Sequence, residues 1–438
     1  MNKRLLFLLA AAPLANAAHA TDLLDAYRMA LANDPAYQAS VYQRRAFGQD
    51  PDIARSALRP SVSLSADGSL IREDADSSRA TTSGSDTYNS AGASLGVSQA
   101  LYDRTANIAV DQAELGDQRA GIDLEAAEDD VIIRVAGAYF NVLGAIDNLE
   151  LATREKIAIG RQLELARERL NVGIGTQTDL YDAEARYQLA EANEIESGNL
   201  IEDAVQALIA IVGGDPGELE RLRENAPMQM PDPAAETDWV AIALANNPTL
   251  RSAALDYEIA RQEIDRQRYV RHPNVSLNAS GSYRDSSGGI NGSSDRTDAR
   301  VGLAVEFPLY LGGLVAAQVQ RAALGANAQE QVVEQTRREV YRNVRDVYND
   351  VSSGISRVEA LRLAVIASES ALEARQEGFA AGLITNLDVL DAQRDLFQAR
   401  RDYLRARYDF IVSLLRLEQA AGQLDEEDVA RINAWLGE

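Results

Sequence analysis

Apolar residues fall on one heptad spacing twice in this chain, 209 positions apart. Ile132, Val135, Tyr139, Val142, Ile146 and Leu149 keep the same intervals as Tyr341, Val344, Tyr348, Val351, Ile355 and Val358. This is the period of a left-handed coiled-coil seam. Shorter echoes flank both runs. Ala30–Pro35 (ALANDP) returns as Ala243–Pro248 (ALANNP), and Pro60 with Val62 and Leu64 returns as Pro273 with Val275 and Leu277. Leu101-Tyr102 returns as Leu309-Tyr310, and Val172–Ala183 returns as Ala381–Ala392. The chain therefore reads as a duplicated helix–strand–strand–helix unit.

In the first copy, residues 21–212, a helix runs from Thr21 to about Leu58 and Pro60 ends it. Val62, Leu64, Ala66, Gly68 and Leu70 then alternate with small polar residues, giving a strand over 61–72. A Ser/Thr/Gly-rich loop over 77–86 precedes a second alternating stretch over 88–102. Helical periodicity follows over 104–170 without a proline, roughly 100 Å of helix. A turn holding Gly173 and Gly175 leads to a helix over 177–212, which Gly213-Gly214-Asp215-Pro216 stops. Residues 213–236 form a linker. The second copy, 237–421, repeats the plan: a helix over 237–270, strands over 274–284 and 299–310 around a loop at 285–296, and helices over 314–378 and 385–420. A short tail covers 422–438.

The strands carry most of the information. Each has the length of a tilted transmembrane strand, one face apolar and the other small or polar. Tyr102, Phe307 and Tyr310 fall at strand ends, where interfacial aromatics sit. Four strands cannot close a barrel, and open edges are not tolerated in lipid. They must close by oligomerisation or form an ordinary soluble sheet.

The ends and the composition shift that balance toward a barrel. Residues 1–20 read as a bacterial secretory signal peptide: Lys3 and Arg4, an apolar run over Leu5–Ala12, and an A-x-A site at Ala18-His19-Ala20. Losing Lys3 and Arg4 takes the formal charge from −24 to −26, so nucleic acid is not an expected partner. The chain has no cysteine, which excludes disulfides, and Thr21 stands where a lipid anchor would require one. The longest apolar helical stretch, Val131–Ile146, contains Arg134 and falls short of a spanning helix. No catalytic constellation, metal set or cofactor motif stands out. His272, beside Pro273 at a helix-to-strand join, reads as a junction residue.

With LLDAYRMALANDP at the mature start, AYFNVLGAIDNLELA over Ala138–Ala152, NVGIGTQTDLYDAEARY over Asn171–Tyr187 and FPLYLGG over Phe307–Gly313, the chain resembles the TolC family of outer-membrane channel proteins across essentially its mature length. The resemblance implies a homotrimer whose twelve strands close one barrel, above a periplasmic helical tunnel that tapers at the hairpin tips. It implies an exit duct for type I protein secretion or multidrug efflux. Its partners would be a periplasmic adaptor protein and an inner-membrane transporter of the ABC or RND/MFS kind.

At the tips, Thr176-x-x-Asp179 and Thr385-x-x-Asp388 both read as capping boxes, with Asp182 and Asp391 three residues further on the same faces. The resemblance makes Asp388 and Asp391 a carboxylate ring at the entrance, a focused negative potential favouring cations. It places the gate at Thr178, Asp179, Phe379 and Ile384, and adaptor docking at Val172, Gly173, Ile174, Ala381, Gly382 and Leu383. Phe379 and Ile384 stand where the family has a tyrosine and an arginine. Asp179 thereby loses both expected partners, and apolar packing of Phe379 or Ile384, or a cation such as Arg375, is left to hold the closed state. The expected fold is mainly α: a long coiled-coil-like tunnel with four strands per chain closing as a trimeric membrane β-barrel. The rival reading is a soluble periplasmic coiled-coil adaptor or scaffold.

Overall fold

A computed structural model describes residues 20–75, 84–289 and 292–437. Almost all of the expected signal peptide, and most of the 77–86 loop, lie outside the described residues. The element order is α1 (Leu23–Asn33), α2 (Pro35–Phe47), α3 (Asp50–Ser56), β1 (Ser61–Ala75), β2 (Gly84–Tyr102), α4 (Arg104–Asn171) and α5 (Gln177–Val212). The second half follows as α6 (Glu236–Asn246), α7 (Pro248–Tyr269), β3 (Asn274–Ser286), β4 (Ser294–Glu306), α8 (Leu314–Ala380), α9 (Asn386–Ala421) and α10 (Glu426–Asn433). No helix among the described residues is long and apolar enough to cross a membrane. The chain divides into two units: one of residues up to Ala39, Ala127–Asn247 and from Val340 on, the other of Ser40–Ala126 and Pro248–Glu339.

The second unit holds one antiparallel sheet, ordered β1-β2-β3-β4. The β2–β3 pairing, Ser90↔Ser286 through Tyr102↔Val275, joins the two repeats, with a bulge between Ala100 and Tyr102. The registers set Leu64 opposite Leu95, Val62 opposite Val97, Leu277 opposite Leu303 and Val275 opposite Val305. Directly opposed residues share a face, so one side of the sheet is apolar. That side is uncovered: Leu64 is 77% exposed and Val301 78%. The other side is polar and bonded within itself. Ser65 and Ser94 hydroxyls meet at 2.7 Å, Ser98 Oγ donates to Asn278 Oδ1 at 2.9 Å, and Arg284 Nη1 reaches Asp67 Oδ2 at 3.1 Å.

The strands depart from the expected bounds. β1 reaches Ala75 and not 72, β2 starts at Gly84 and not 88, and β3 ends at Ser286 and not 284. Backbone pairing continues through polar residues such as Arg72 and Asp86, where the apolar alternation has faded. β4 runs from Ser294 to Glu306 and not over 299–310. Its start pairs with the polar end of β3, and Pro308, which has no N–H to donate, follows its end. Phe307 and Tyr310 therefore lie just past the strand.

The expected single helices at 21–58 and 237–270 are also divided. Asp34 and Asn247, each before a proline, take extended ψ values of 117° and 124°. Gly48 and Gln49 separate α2 from α3. Both pre-proline side chains are buried and both are answered. Asp34 accepts from Tyr37 N at 3.0 Å and from Arg134 Nη2 at 2.6 Å, and the Arg134 bond holds its carboxyl below the usual range. Asn247 Nδ2 donates to the Ala420 carbonyl at 3.0 Å.

The core of the first unit gathers around α4 and α9, with Tyr139, Phe140, Leu143, Phe410, Ile411 and Leu415 fully buried. The heptad seam is buried in α4 at Ile132, Val135, Tyr139 and Val142. In α8, Val344, Val351 and Val358 are buried but Tyr341 is 45% exposed. The expected linker and tail are knitted together and not loose. Thr21 bridges Leu219, Leu222 bridges Leu436, and Asn433 Oδ1 accepts from Leu23 N at 2.9 Å. The tail forms α10, capped by Asp425.

Glu418 is buried beneath α10, paired with Arg431, and its Oε2 has no hydrogen-bond partner among the described residues. Burial, with repulsion from Asp428, pushes its carboxyl up to about 7 from 4.5. Between those values the folded chain holds a proton that the unfolded chain releases, so this group lowers stability as pH rises across that window. The Glu418→Gln variant should flatten the slope. Thermal unfolding in detergent, followed by circular dichroism at about pH 5 and about pH 7.5, should show a smaller drop than in the native chain. An unchanged drop would mean that Glu418 stays ionised throughout.

Candidate functional site: the hairpin tips

Two tight turns end the paired helices of the first unit. The α4–α5 turn uses Gly173 at φ 81° and the α8–α9 turn uses Gly382 at φ 76°, a left-handed conformation that favours glycine. Around them Val172, Ile174, Ala381 and Leu383 are exposed, Leu383 at 80% and Ile174 at 74%. Burial supplies no reason for apolar residues here, so the two turns present a small apolar surface.

Both expected capping boxes form. Thr176 Oγ1 accepts from Asp179 N at 3.0 Å while Asp179 Oδ2 accepts from Thr176 N at 3.3 Å. Thr385 Oγ1 accepts from Asp388 N at 3.3 Å while Asp388 Oδ2 accepts from Thr385 N at 2.9 Å. The Thr385 bonds hold the Asp388 carboxyl below the usual range, so it stays charged at any neutral pH.

The other expected site residues separate into those that stay within one hairpin and those that cross between hairpins. The hydrogen bonds of Asp179 close on Thr176 of its own helix start. Thr178 is exposed on the same turn. Ile384 folds back onto Gly378, 3.5 Å from where a β-carbon would stand. Arg375, the cation considered as a substitute, donates to the Asp388 carbonyl at 3.0 Å, also within its hairpin. Asp391 does cross: Arg186 of α5 reaches its Oδ1 at 2.8 Å, with Arg394 at 3.7 Å. Phe379 crosses as well, with the guanidinium of Arg169 lying 4.0 Å from its ring centroid.

Sequence reasoning missed Arg169, Arg186 and a buried polar pair. Gln162 Nε2 donates to Asn386 Oδ1 between α4 and α9, and Asn386 is 2% exposed. Beside that pair lies an apolar cluster of Ile159, Leu163, Ala166, Ala183, Ala190 and Leu390. The signal for Asn386 was present, because a polar residue stood at a position the helix turns inward. Arg169 reads from sequence only as a cation at a helix C-terminus.

A sheet with one uncovered apolar face and, in the same chain, helices of 68 and 67 residues define the subunit of an outer-membrane channel with a helical tunnel. The family described as outer membrane efflux protein matches residues 26–214 and 239–423, and the chain belongs to that family. Each matched stretch lies largely within one copy of the sequence repeat. The chain is 33% identical over 426 residues to the outer membrane protein TolC of Vibrio cholerae, covering 97% of this chain and 95% of that protein. It is 32% identical to the alkaline protease secretion protein AprF of Pseudomonas aeruginosa, covering 95% and 88%. The crystal structure of the outer membrane protein VceC of Vibrio cholerae superposes with a TM-score of 0.76 at 20% identity, covering 91% of this chain and 96% of that one. The protein resides in the cell outer membrane and is an exit duct.

The caps can be tested directly. Thr176→Val and Thr385→Val each remove one cap, a loss on the order of 1 kcal/mol. Amide exchange in the first turns of α5 and α9 should quicken roughly fivefold. Unchanged protection would show that tertiary contacts, and not the caps, fix these helix starts.

Proposed function

We propose that three copies of the chain close one twelve-stranded barrel, and that the assembled duct carries cargo outward from an inner-membrane transporter of the ABC or RND/MFS class through a periplasmic adaptor. The observation that carries this reading is the sheet, whose apolar face is uncovered and whose edge strands β1 and β4 have no outer neighbour among the described residues. Lipid would cover the face, but it cannot satisfy the edges. Twelve strands lie within the range of bacterial barrels, and four do not. The half-exposed seam of α8 gives a helical surface for the same contacts. The protein serves as a conduit and not as an enzyme.

The exposed apolar turns, Val172-Gly173-Ile174 and Ala381-Gly382-Leu383, are the surfaces offered to the adaptor. Asp388 and Asp391 form the entrance ring, and the tip around Thr178, Asp179, Phe379 and Ile384 is the gate. AprF is named for protease secretion and the family for efflux, which favours a duct serving type I secretion, drug efflux or both. In detergent the folded unit should be a trimer by native mass analysis. A stable monomer, or a protein that washes from the membrane as an adaptor does, would overturn the barrel.

The two ring carboxylates are not equivalent. Asp391 is answered by Arg186, whereas Asp388 is held ionised by its cap and keeps its charge available. In planar bilayers the duct should prefer cations and be blocked by trivalent cations from the periplasmic side. Asp388→Ala should weaken the block more than Asp391→Ala, and the double variant should abolish it. Block that survives in the double variant would place the ring elsewhere.

A further inference from the structure

We propose that Arg169 is the clasp of the closed tip, its guanidinium lying on the ring face of Phe379 and holding the first-repeat hairpin to the second. The inference rests on reading the tip as the gate. Cation and ring stand 4.0 Å apart, well inside the roughly 6 Å over which the quadrupole of an aromatic face attracts a cation. Both side chains hang from fixed main chain. The Arg169 carbonyl accepts from Ile174 N and Gly175 N at 3.0 Å each, and the Phe379 carbonyl accepts from Gly382 N at 3.0 Å. Gly175 is packed so closely on the α4 end that an added β-carbon would stand 2.9 Å from Leu170 N. Each helix end is closed onto its own turn, and the contact joins one hairpin to the other.

The other tip residues leave this role open. The hydrogen bonds of Asp179 stay within its own helix start, Ile384 packs on Gly378, and Arg375 bonds within its own hairpin. Arg169 forms no ion pair with any described carboxylate, so the ring is its partner. Phe379 has no hydroxyl, so the polar interaction open to it is through its face. Arginine suits that face better than lysine, because the guanidinium is planar and weakly hydrated and can stack. Such a contact acts at touching distance and is little affected by salt, whereas an exposed ion pair weakens as salt screens it.

The test uses the full-length protein in planar bilayers. Arg169→Ala and Phe379→Leu should each raise closed-state conductance events on the order of two- to thirtyfold, the range to which cation–π strengths convert. The double variant should open no further than either single one. Phe379→Tyr should stay closed, Arg169→Lys should fall between, and raising salt should not open the native duct. Phe379→Leu keeps apolar bulk and loses the ring, so native closure in that variant would overturn the clasp, as would additive effects in the double variant. The chain has no cysteine, so Arg169→Cys with Phe379→Cys carries unique thiols that a short bis-maleimide can bridge. Bridging should shut the duct. If bridging shuts it while the Ala and Leu variants stay native, the gate stands and the clasp is wrong. If bridged protein conducts and transports freely, the tip is not the gate and the functional reading fails with it.

Discussion

A four-stranded sheet with two open edges and one uncovered apolar face cannot rest in either solvent alone. In water the face is the problem: Val62, Leu64, Val301, Leu303 and Val305 all stand more than 65% exposed, and no other element of the sheet's own unit shields them. In lipid the face is at home, but the N–H and C=O groups along β1 and β4 have no water to bond. Closure with further copies removes both penalties together. The trimer proposed above would thus answer both demands of one arrangement of strands. The polar side is consistent with this, because its serines, Asn278 and the Arg284–Asp67 pair bond laterally and are suited to face water.

Much of this was legible in the sequence because the duplication states each element twice. The helix breaks at Asp34-Pro35 and Asn247-Pro248 illustrate how far that goes. The proline positions were visible, yet the sequence reading ran single helices through them, since helical apolar periodicity continues on both sides. What the pattern could not supply was the reason the breaks are stable: Arg134 reaching Asp34 from 100 residues away, and the Ala420 carbonyl meeting Asn247. Strand ends failed for a related reason. Alternation reports which residues are apolar, but backbone pairing does not need them to be, so β1 and β2 continue through Arg72, Glu73, Asp86 and Thr87. Equal heptads likewise did not mean equal burial, as the matched positions Ile132 and Tyr341 show, because burial depends on which neighbour covers a seam.

The tips divide in the same way. Local chemistry was readable: Thr176, Asp179, Thr385 and Asp388 cap as their spacing requires, and Gly173 and Gly382 take the left-handed turns. Contacts between the repeats were not readable. Arg186 to Asp391 spans 205 residues and Gln162 to Asn386 spans 224, and no local rule links such positions. The family resemblance pointed to the tips but implied a tyrosine and an arginine where this chain has Phe379 and Ile384. The replacement residues then sorted themselves by geometry, with Ile384 turned inward to its own hairpin and Phe379 facing the other.

The polar layer just inside the tip shows what kind of interface joins the hairpins there. Next to the apolar cluster of Ile159, Leu163 and Leu390, the Gln162–Asn386 bond is buried, and Asn386 Nδ2 and Gln393 Oε1 lie buried without partners among the described residues. An all-apolar seam at the same place would gain on the order of 1.5–3 kcal/mol for each large side chain buried, and would forfeit all of it on separation. A polar layer gains little on closing and loses little on opening, because water satisfies amide groups as well as they satisfy one another. It still fixes register, since sliding the helices would strand more buried donors and acceptors. Alignment and adhesion are therefore separate properties at this tip. The amides align α9 against α4, and the apolar cluster of Ile159, Leu163 and Leu390 beside them supplies the adhesion.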